Sequence, residues 1–417
     1  MKRFGVILFV AGVFLAAAFP VSAGTVRVAP ILSVEQEYSD NILFSSNFEE
    51  EDFITTISGG VEIQQKTERI NAGLYAHLDQ LLYWEFDKLN SLDKFFSGDV
   101  KYKTTEQLNL GATALYSQDS RRDRDTDTTG LLITGDRETA RVSFLSDYLF
   151  SETTKGEITL GYGRVEIDDI WRTEGDDDFK VDISFSKNLN HRFKNTTGLL
   201  NLGYLRYVSD IETLSTGGGL TSQLFQKNDS DILQFSTGFL KDITEIYTVY
   251  CQLGASYTFT SEEVRFRQTL SGTDIVLGDV STPEVDDNRL GGVFNVGVNY
   301  DGLYYDMGLS LSQDMRGASG TNGVVQRSSV AGNISGKITD KFSLTLNASC
   351  YLNQNERKAQ PDTDDFTLNI QPGFRYKITN DFTLSGVYRF TSVENRENST
   401  TSERNMIYFV LRKEFEL

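Results

Sequence analysis

The sequence predicts an all-β fold: a single-chain antiparallel transmembrane β-barrel of about 18 strands, or about 16 in the alternative count, with long extracellular loops and short periplasmic turns. Three observations predict this fold. The chain opens with an export signal, the rest of its length alternates apolar and polar residues, and its connections alternate between long and short.

The first residues have the pattern of a secretory signal. Lys2 and Arg3 precede an uncharged apolar run over 6–19, and Val-Ser-Ala at 21–23 offers the small residues that signal peptidase accepts. We expect residues 1–23 to be a signal peptide and residues 24–417 to form the barrel. No later run reaches the roughly 18 consecutive apolar residues of a membrane helix, so the chain is expected to cross a membrane with strands.

Apolar and polar residues alternate along the rest of the chain, which is the signature of a strand with two different faces. In segment 342–352 the even positions are Phe, Leu, Leu, Ala, Cys and Leu, whereas the odd positions are Ser, Thr, Asn, Ser and Tyr. Segments 247–259 and 366–378 repeat the pattern. Most such segments have about 10 to 14 residues, which suits a tilted strand that needs roughly 9–11 residues to cross a bilayer.

The connections between these segments alternate in length, as expected when one end of a barrel carries loops and the other tight turns. The longer connections are predicted at 39–52, 84–91, 118–136, 167–178, 209–229, 260–288, 315–326, 355–365 and 393–404. The short turns are predicted near 66–69, 103–107, 151–155, 188–194, 242–245, 300–302, 339–341 and 379–381. Two turns read Lys-Ile-Thr followed by Asp or Asn, and we expect that Asp or Asn to bond the backbone.

The composition argues against several functions. A net charge of −19 disfavours binding to nucleic acid, and two cysteines, Cys251 and Cys350, are too few for a disulfide scaffold or a four-ligand zinc site. His77 and Asp79 share one face of a strand, whereas His191 falls in a periplasmic turn, and neither histidine has a nucleophile motif beside it. We therefore expect no catalytic residues, no metal site and no cofactor.

A barrel of this size is wide enough to enclose an aqueous channel. The polar faces of the predicted strands supply ten candidate lumen-lining residues: Lys101, Lys180, Asp182, Asn295, Asn333, Asn347, Asn369, Gln371, Arg375 and Arg389. The longest loop, 260–288, is the predicted constriction. Acidic clusters at 49–52, 174–178 and 286–287 are predicted to lie in or beside the outer loops.

The last strand places Phe409, Leu411, Phe415 and Leu417 on one face. It resembles the carboxy-terminal strand by which the barrel-assembly machinery recognises outer-membrane proteins, although it ends in Leu and carries Lys413 on the apolar face. The expected partners are this machinery, outer-membrane lipid and lipopolysaccharide, with polysaccharide as a further partner and nucleic acid excluded.

The first predicted strand ends in a short motif, Tyr38-Ser39-Asp40-Asn41-Ile42. A Tyr-x-Asp-Asn-Ile element at this place resembles the outer-membrane β-barrel porin family associated with bacterial exopolysaccharide and biofilm systems. The resemblance implies a channel linked to polysaccharide secretion and transfers no catalytic residue. Three functions stay open: a passive porin-like channel, a dedicated exopolysaccharide export conduit, and a structural or adhesive barrel that acts through acidic loops.

Overall fold

The computed structural model describes residues 24–121, 135–169, 172–218, 220–271, 275–317, 323–355 and 363–415. The predicted signal peptide lies outside these residues. The described chain forms strands throughout, apart from connections and one short 3-10 helix at Asp87–Leu89. The strands are β1 Thr25–Ser39, β2 Asp52–Lys66, β3 Ile70–Tyr83, β4 Ser91–Lys103, β5 Leu108–Asp119, β6 Asp136–Ser151, β7 Thr154–Asp169, β8 Arg172–Asn188, β9 Thr196–Gly217, β10 Leu220–Asp242, β11 Tyr247–Leu270, β12 Val276–Ser281, β13 Val285–Asp301, β14 Tyr305–Gly317, β15 Val324–Lys337, β16 Phe342–Asn355, β17 Thr363–Lys377, β18 Phe382–Asn395 and β19 Thr400–Glu414.

These strands close into one antiparallel barrel. Each barrel strand pairs with the next one along the chain, and β1 pairs with β19 from Ile31 opposite Glu414 to Ser39 opposite Met406. Eighteen strands form the barrel, because β12 is a short strand that pairs only with the outer part of β11. The predicted fold and the larger of the two strand counts are therefore confirmed.

The two faces of each strand differ in the way a membrane barrel requires. On β7 the side chains of Ile158, Leu160 and Tyr162 are exposed on the outer face, whereas Val165 and Ile167 on the inner face are buried. Closure leaves the barrel without a free sheet edge in the membrane, which hydrocarbon demands because it offers no hydrogen bonds. The exposed apolar belt therefore places the barrel in the outer membrane. The described residues contain no helix that is long and apolar enough to cross a membrane.

All eight predicted short turns are observed, but threonine holds several of them. The Thr339 hydroxyl accepts hydrogen bonds from the backbone N–H groups of Lys341 and Phe342, at 3.3 and 3.0 Å. Thr67, Thr105 and Thr244 accept backbone N–H groups at the same two offsets. In the Lys-Ile-Thr turn at 339–341 the Thr hydroxyl takes the role that was expected of Asp, and in the turn at 379–381 the Thr379 hydroxyl donates to the Asp381 carboxylate at 2.6 Å.

Three of the predicted long loops are wrong. Connections 167–178 and 209–229 are mostly strand, since β7 continues to Asp169 and β9 continues to Gly217. Connection 260–288 is largely β11, β12 and the start of β13. The alternation of faces continues in these segments with charged residues in place of apolar ones on the outer face. Charge there marks the point where a strand leaves the lipid, and not the point where the strand ends.

The acidic cluster at 174–178 also differs from the prediction. Its residues belong to β8, and Glu174 and Asp176 are 4% and 3% exposed on the inner face of that strand. They form part of the inner wall above the membrane and not a solvated loop. Because β9, β10 and β11 are the longest strands, with 22, 23 and 24 residues, one side of the barrel rises above the other.

Candidate functional site

The inner wall of the barrel is the candidate functional site. All ten predicted lumen-lining residues lie on the strand face opposite the exposed apolar belt, as the neighbouring exposed residues Phe179, Leu346 and Tyr388 show for three of the strands. The register brings Asn333, Asn347 and Gln371 side by side on β15, β16 and β17. Asn295, Asn369, Arg375 and Arg389 stand at other heights on the same half of the wall.

Charge is concentrated on the other half of the wall. Asp99, Arg141, Asp178, Lys180 and Asp182 line one cavity of about 760 Å³ on the side of β4, β6 and β8. The ammonium of Lys180 lies 2.8 Å from the carboxylate of Asp182, so these two predicted residues neutralise one another. Lys101 stands on β4, opposite Gly111 of β5.

The outer end of the β14–β15 hairpin leaves the wall and folds into the barrel. β14 pairs with β13 only as far as Gln313 opposite Phe294, yet it stays paired with β15 up to Gly317 opposite Val324. Residues 314–317 and 324–325 therefore have a partner strand on one side only. We call the described residues 314–317 and 324–325 the inward hairpin.

The inward hairpin packs against the opposite inner wall. Met315 and Val324 are 6% and 5% exposed and form an apolar cluster with Tyr207 of β9 and Ile232 of β10. The Gln234 side chain donates a hydrogen bond of 2.8 Å to the Met315 carbonyl. Met315 and Val324 lie on the side of β14 and β15 that faces lipid lower in the barrel. Because the hairpin bends inward, this apolar side packs on the inner wall.

Gly317 allows this close approach. A Cβ atom at Gly317 would lie 2.3 Å from a ring carbon of Tyr207, which is far inside contact distance. At the start of β15, Gly323 has a φ of 121° and lies against the side chain of Asn228. Both glycines are needed for the hairpin to reach the wall, because a side chain at either position meets β9 or β10.

The inward hairpin, and not the described part of 260–288, is the segment that enters the interior. Residues 265–269 of β11 pair with β12, and Arg265 donates two hydrogen bonds to Asp279, with its Nε atom 2.8 Å from the carboxylate. The described part of 260–288 therefore extends the barrel wall upward and does not cross the interior. The sequence prediction failed here because it judged the constriction by loop length alone.

Gln313 is the residue that could have indicated the hairpin from the sequence. It stands on the lipid-facing parity of β14, where Leu309 and Leu311 precede it. Its amide nitrogen donates to the Gly292 carbonyl of β13 at 3.0 Å, and its amide oxygen accepts from Ser328 of β15 at 3.1 Å. A polar residue on that face marks the height at which the strand leaves the lipid.

A second inward contact comes from the end of β5. Arg121 reaches β1 and β2, where its guanidinium lies 3.2 Å from Glu35, 3.5 Å from Glu37 and 3.3 Å from the Thr56 hydroxyl. Glu35 and Glu37 point inward, since Leu32 and Val34 of the opposite parity are exposed to lipid. Sequence analysis did not single out Arg121, because nothing local to residue 121 identifies a partner on β1.

The two residues considered for catalysis do meet. The Nε2 atom of His77 lies 3.2 Å from Asp79, and the imidazole packs between the rings of Tyr75 and Phe95. His191 lies in the turn between β8 and β9. No group of three or more candidate metal ligands occurs within the described ranges.

The motif Tyr38–Ile42 lies at the seam where β1 meets β19. The Asp40 carboxylate accepts hydrogen bonds from the backbone and the side chain of Asn405, both at 2.7 Å. Asn41 is fully buried and donates to the carbonyls of Ser45 and Glu403. The motif residues therefore fasten the first barrel strand to the last one.

These features define an outer-membrane β-barrel with a polar inner wall and an inward hairpin. Among solved structures, the chain is similar to the open form of the ferric-catecholate import receptor Fiu from E. coli K12, with 9% identity, 94% of this chain and 82% of that chain covered, and a TM-score of 0.51. The closed form of that receptor matches with 7% identity, coverages of 92% and 82%, and a TM-score of 0.47. The siderophore receptor PirA from Pseudomonas aeruginosa matches with 10% identity, coverages of 94% and 81%, and a TM-score of 0.42.

At such identities the likeness to Fiu shows a shared barrel fold and nothing finer. No protein-family model matches the sequence, and no curated protein matches it at a significant level.

Proposed function

We propose that the chain is a passive channel of the outer membrane, through which small solutes diffuse along the polar inner wall. The observation that carries this proposal is the closed barrel of eighteen strands, because barrels of 16 to 18 strands leave an aqueous lumen whereas about eight strands fill their own interior. The inward hairpin narrows that lumen from one side, and the charged and amide-lined parts of the wall set which solutes pass.

Reconstitution of the purified barrel in planar bilayers tests this function. We expect stepwise conductance from single barrels, and swelling of liposomes that carry the barrel when small neutral sugars are added outside. A barrel that inserts and shows the heat-dependent gel shift of a folded barrel, yet gives neither conductance nor swelling, would refute the channel.

The motif at 38–42 supports a second candidate, a dedicated exopolysaccharide export conduit. In this candidate the barrel passes a polymer from the periplasm, so that loss of the gene traps polymer there without changing the permeability to small solutes. Unchanged polymer export in a deletion strain would rule out the conduit and leave the passive channel.

We also propose three partners for the barrel surface. Outer-membrane lipid and lipopolysaccharide contact the exposed apolar belt, and the barrel-assembly machinery recognises the last strand. The outward side chains of Ile407, Phe409 and Leu411 on β19 support this last proposal, since they form an apolar row at the closing strand. Replacing all three with Ser should slow insertion in an assay with purified assembly machinery.

A further inference from the structure

The register of β13 to β17 produces a row of amide side chains across the inner wall. Asn299 stands opposite Gly308, Gly308 opposite Asn333, Asn333 opposite Asn347, and Asn347 opposite Gln371. Neighbouring strands lie about 4.8 Å apart, so amide groups follow one another on β15, β16 and β17, while Gly308 on β14 separates them from Asn299 on β13. We call these five residues the amide row.

Gly308 leaves room for the amides on either side of it. A Cβ atom at this position would lie 2.5 Å from the Asn333 amide oxygen and 3.3 Å from that of Asn299. Asn299, Asn333 and Asn347 are exposed to the interior and make no side-chain hydrogen bond with another described residue. Each of them therefore offers both donors and an acceptor to a ligand.

Two residues further toward the outer end of each strand, a second row consists mainly of small residues. It runs from Gly297 to Ser310, Ala331 and Ser349, and ends at Asn369. Together the two rows line a cavity of about 410 Å³ on the inner wall. The small side chains form its floor, and the amides form its lower edge.

Tyr250 of β11 provides an aromatic surface at one end of this cavity. It stands opposite Gly297, and a Cβ atom at Gly297 would lie 2.4 Å from the Tyr250 hydroxyl oxygen and 2.5 Å from its ring carbon Cζ. The hydroxyl end of the ring therefore lies over the glycine, and Tyr250 is one of the residues that line the cavity. Tyr250 is half-buried and makes no hydrogen bond within the described part of the chain.

We propose that this cavity is a binding subsite for a neutral saccharide chain. Every described lining residue is uncharged, so the site offers no counter-ion to a phosphate or carboxylate. Paired amides can donate to and accept from adjacent sugar hydroxyls, and an aromatic ring packs against the apolar face of a sugar. The inference rests on the proposed channel, since a sugar reaches the site only by entering the barrel.

Calorimetric titration of the detergent-solubilised barrel tests the subsite without requiring conductance. The probes are maltohexaose and cellohexaose, with hexagalacturonate as the charged comparison. We expect at least one neutral probe to bind, and Asn333→Ala with Asn347→Ala to weaken that binding by about tenfold or more, as expected from the loss of several hydrogen bonds. Asn201→Ala, on the inner face of β9 away from the row, is the matched control and should leave binding unchanged.

Two variants of Tyr250 distinguish the contribution of its ring to sugar binding from that of its hydroxyl group. Tyr250→Phe keeps the ring and should bind almost as the parent does, whereas Tyr250→Ala should bind several-fold more weakly. The proposal is overturned if neither neutral probe binds, if hexagalacturonate binds as tightly, or if the Asn333 and Asn347 changes have no more effect than Asn201→Ala. A barrel that conducts but binds neither neutral probe refutes the subsite alone, and a barrel that binds but never conducts refutes the channel alone.

Discussion

The carboxylate of Asp40 accepts two hydrogen bonds from Asn405, one from the backbone N–H and one from the side-chain amide. Asn405 also accepts a hydrogen bond of 2.6 Å from the Tyr388 hydroxyl on β18. These contacts connect the first barrel strand to the last two. The barrel has no free strand edge only while this seam is closed. Loss of the contact should therefore lower the stability of the whole barrel.

Replacing Asp40 should therefore weaken the barrel more than an ordinary surface change. Asp40→Ala removes two hydrogen bonds to a charged acceptor, and we expect it to cost about 2 kcal/mol of unfolding free energy. Urea titration of the barrel in detergent measures this cost. Asp340→Ala, in an exposed periplasmic turn, is the control, and Asp40→Ala with Asn405→Ala should cost less than the sum of the two single changes.

The inward hairpin should leave the wall when its contact surface becomes charged. Met315→Asp with Val324→Asp places two carboxylates in the cluster with Tyr207 and Ile232, where burial of unpaired charge is strongly unfavourable. We expect single-channel conductance to rise by about twofold, an order-of-magnitude figure for relief of a constriction in a barrel of this width. Met315→Leu with Val324→Ile keeps the surface apolar and should conduct like the parent. A conductance that stays the same in both variants would show that the hairpin does not limit flow.

The pair formed by Arg265 and Asp279 should make the outer extension sensitive to acid. Hydrogen bonds from the Arg265 guanidinium hold the pKa of the Asp279 carboxyl below its usual value. Because this pKa is lowered on folding, the contribution to stability is complete above the ordinary value of about 4 and is lost as the pH falls through the lowered value.

A spin label at residue 277 of β12 can follow this loss, after Cys251 and Cys350 are replaced by Ala. We expect constant mobility from pH 8 down through the ordinary carboxyl range, and increasing mobility only as the pH falls through the lowered pKa of Asp279, where the carboxylate takes up a proton. Asp279→Asn should give high mobility at every pH. If that variant matches the parent at neutral pH, the pair does not hold β12.

The threonine turns should depend on the hydroxyl and not on the shape of the side chain. Thr339→Ala removes the acceptor of the Lys341 and Phe342 N–H groups, and we expect a loss of about 1 kcal/mol in unfolding free energy. Thr339→Ser keeps the hydroxyl and should retain most of the stability, as measured by urea titration. Equal losses in the two variants would assign the effect to the methyl group.

Much of the barrel could be predicted from the sequence because each strand in the membrane must alternate apolar side chains toward lipid with polar side chains toward the lumen. Alternation located the strands, and the periplasmic turns fell where predicted since those turns are short and sit directly at the membrane. The outer ends were predicted less well, as β9 and β10 show, because charged residues end the contact with lipid without ending the strand.

The interior was harder to predict because its contacts join distant parts of the chain. Periodicity placed Asn333 and Asn347 on the inner face, but only the register shows that they stand side by side. The packing of Met315 on Tyr207 depends on a bend in β14 that alternation alone cannot locate. Gln313 on the lipid-facing parity was the one local indication of that bend.

The strands that rise above the membrane are consecutive, and this gives the barrel a slanted rim. β9, β10 and β11 have 22, 23 and 24 residues, whereas β14 has 13 and β16 has 14. At about 3.3 Å per residue these strands are about 30 Å longer, and at a strand tilt of about 40° the tall side stands roughly 25 Å higher than the low side. The rim formed by the described strands is therefore slanted, so that a bulky molecule arriving from above meets the tall strands on one flank first.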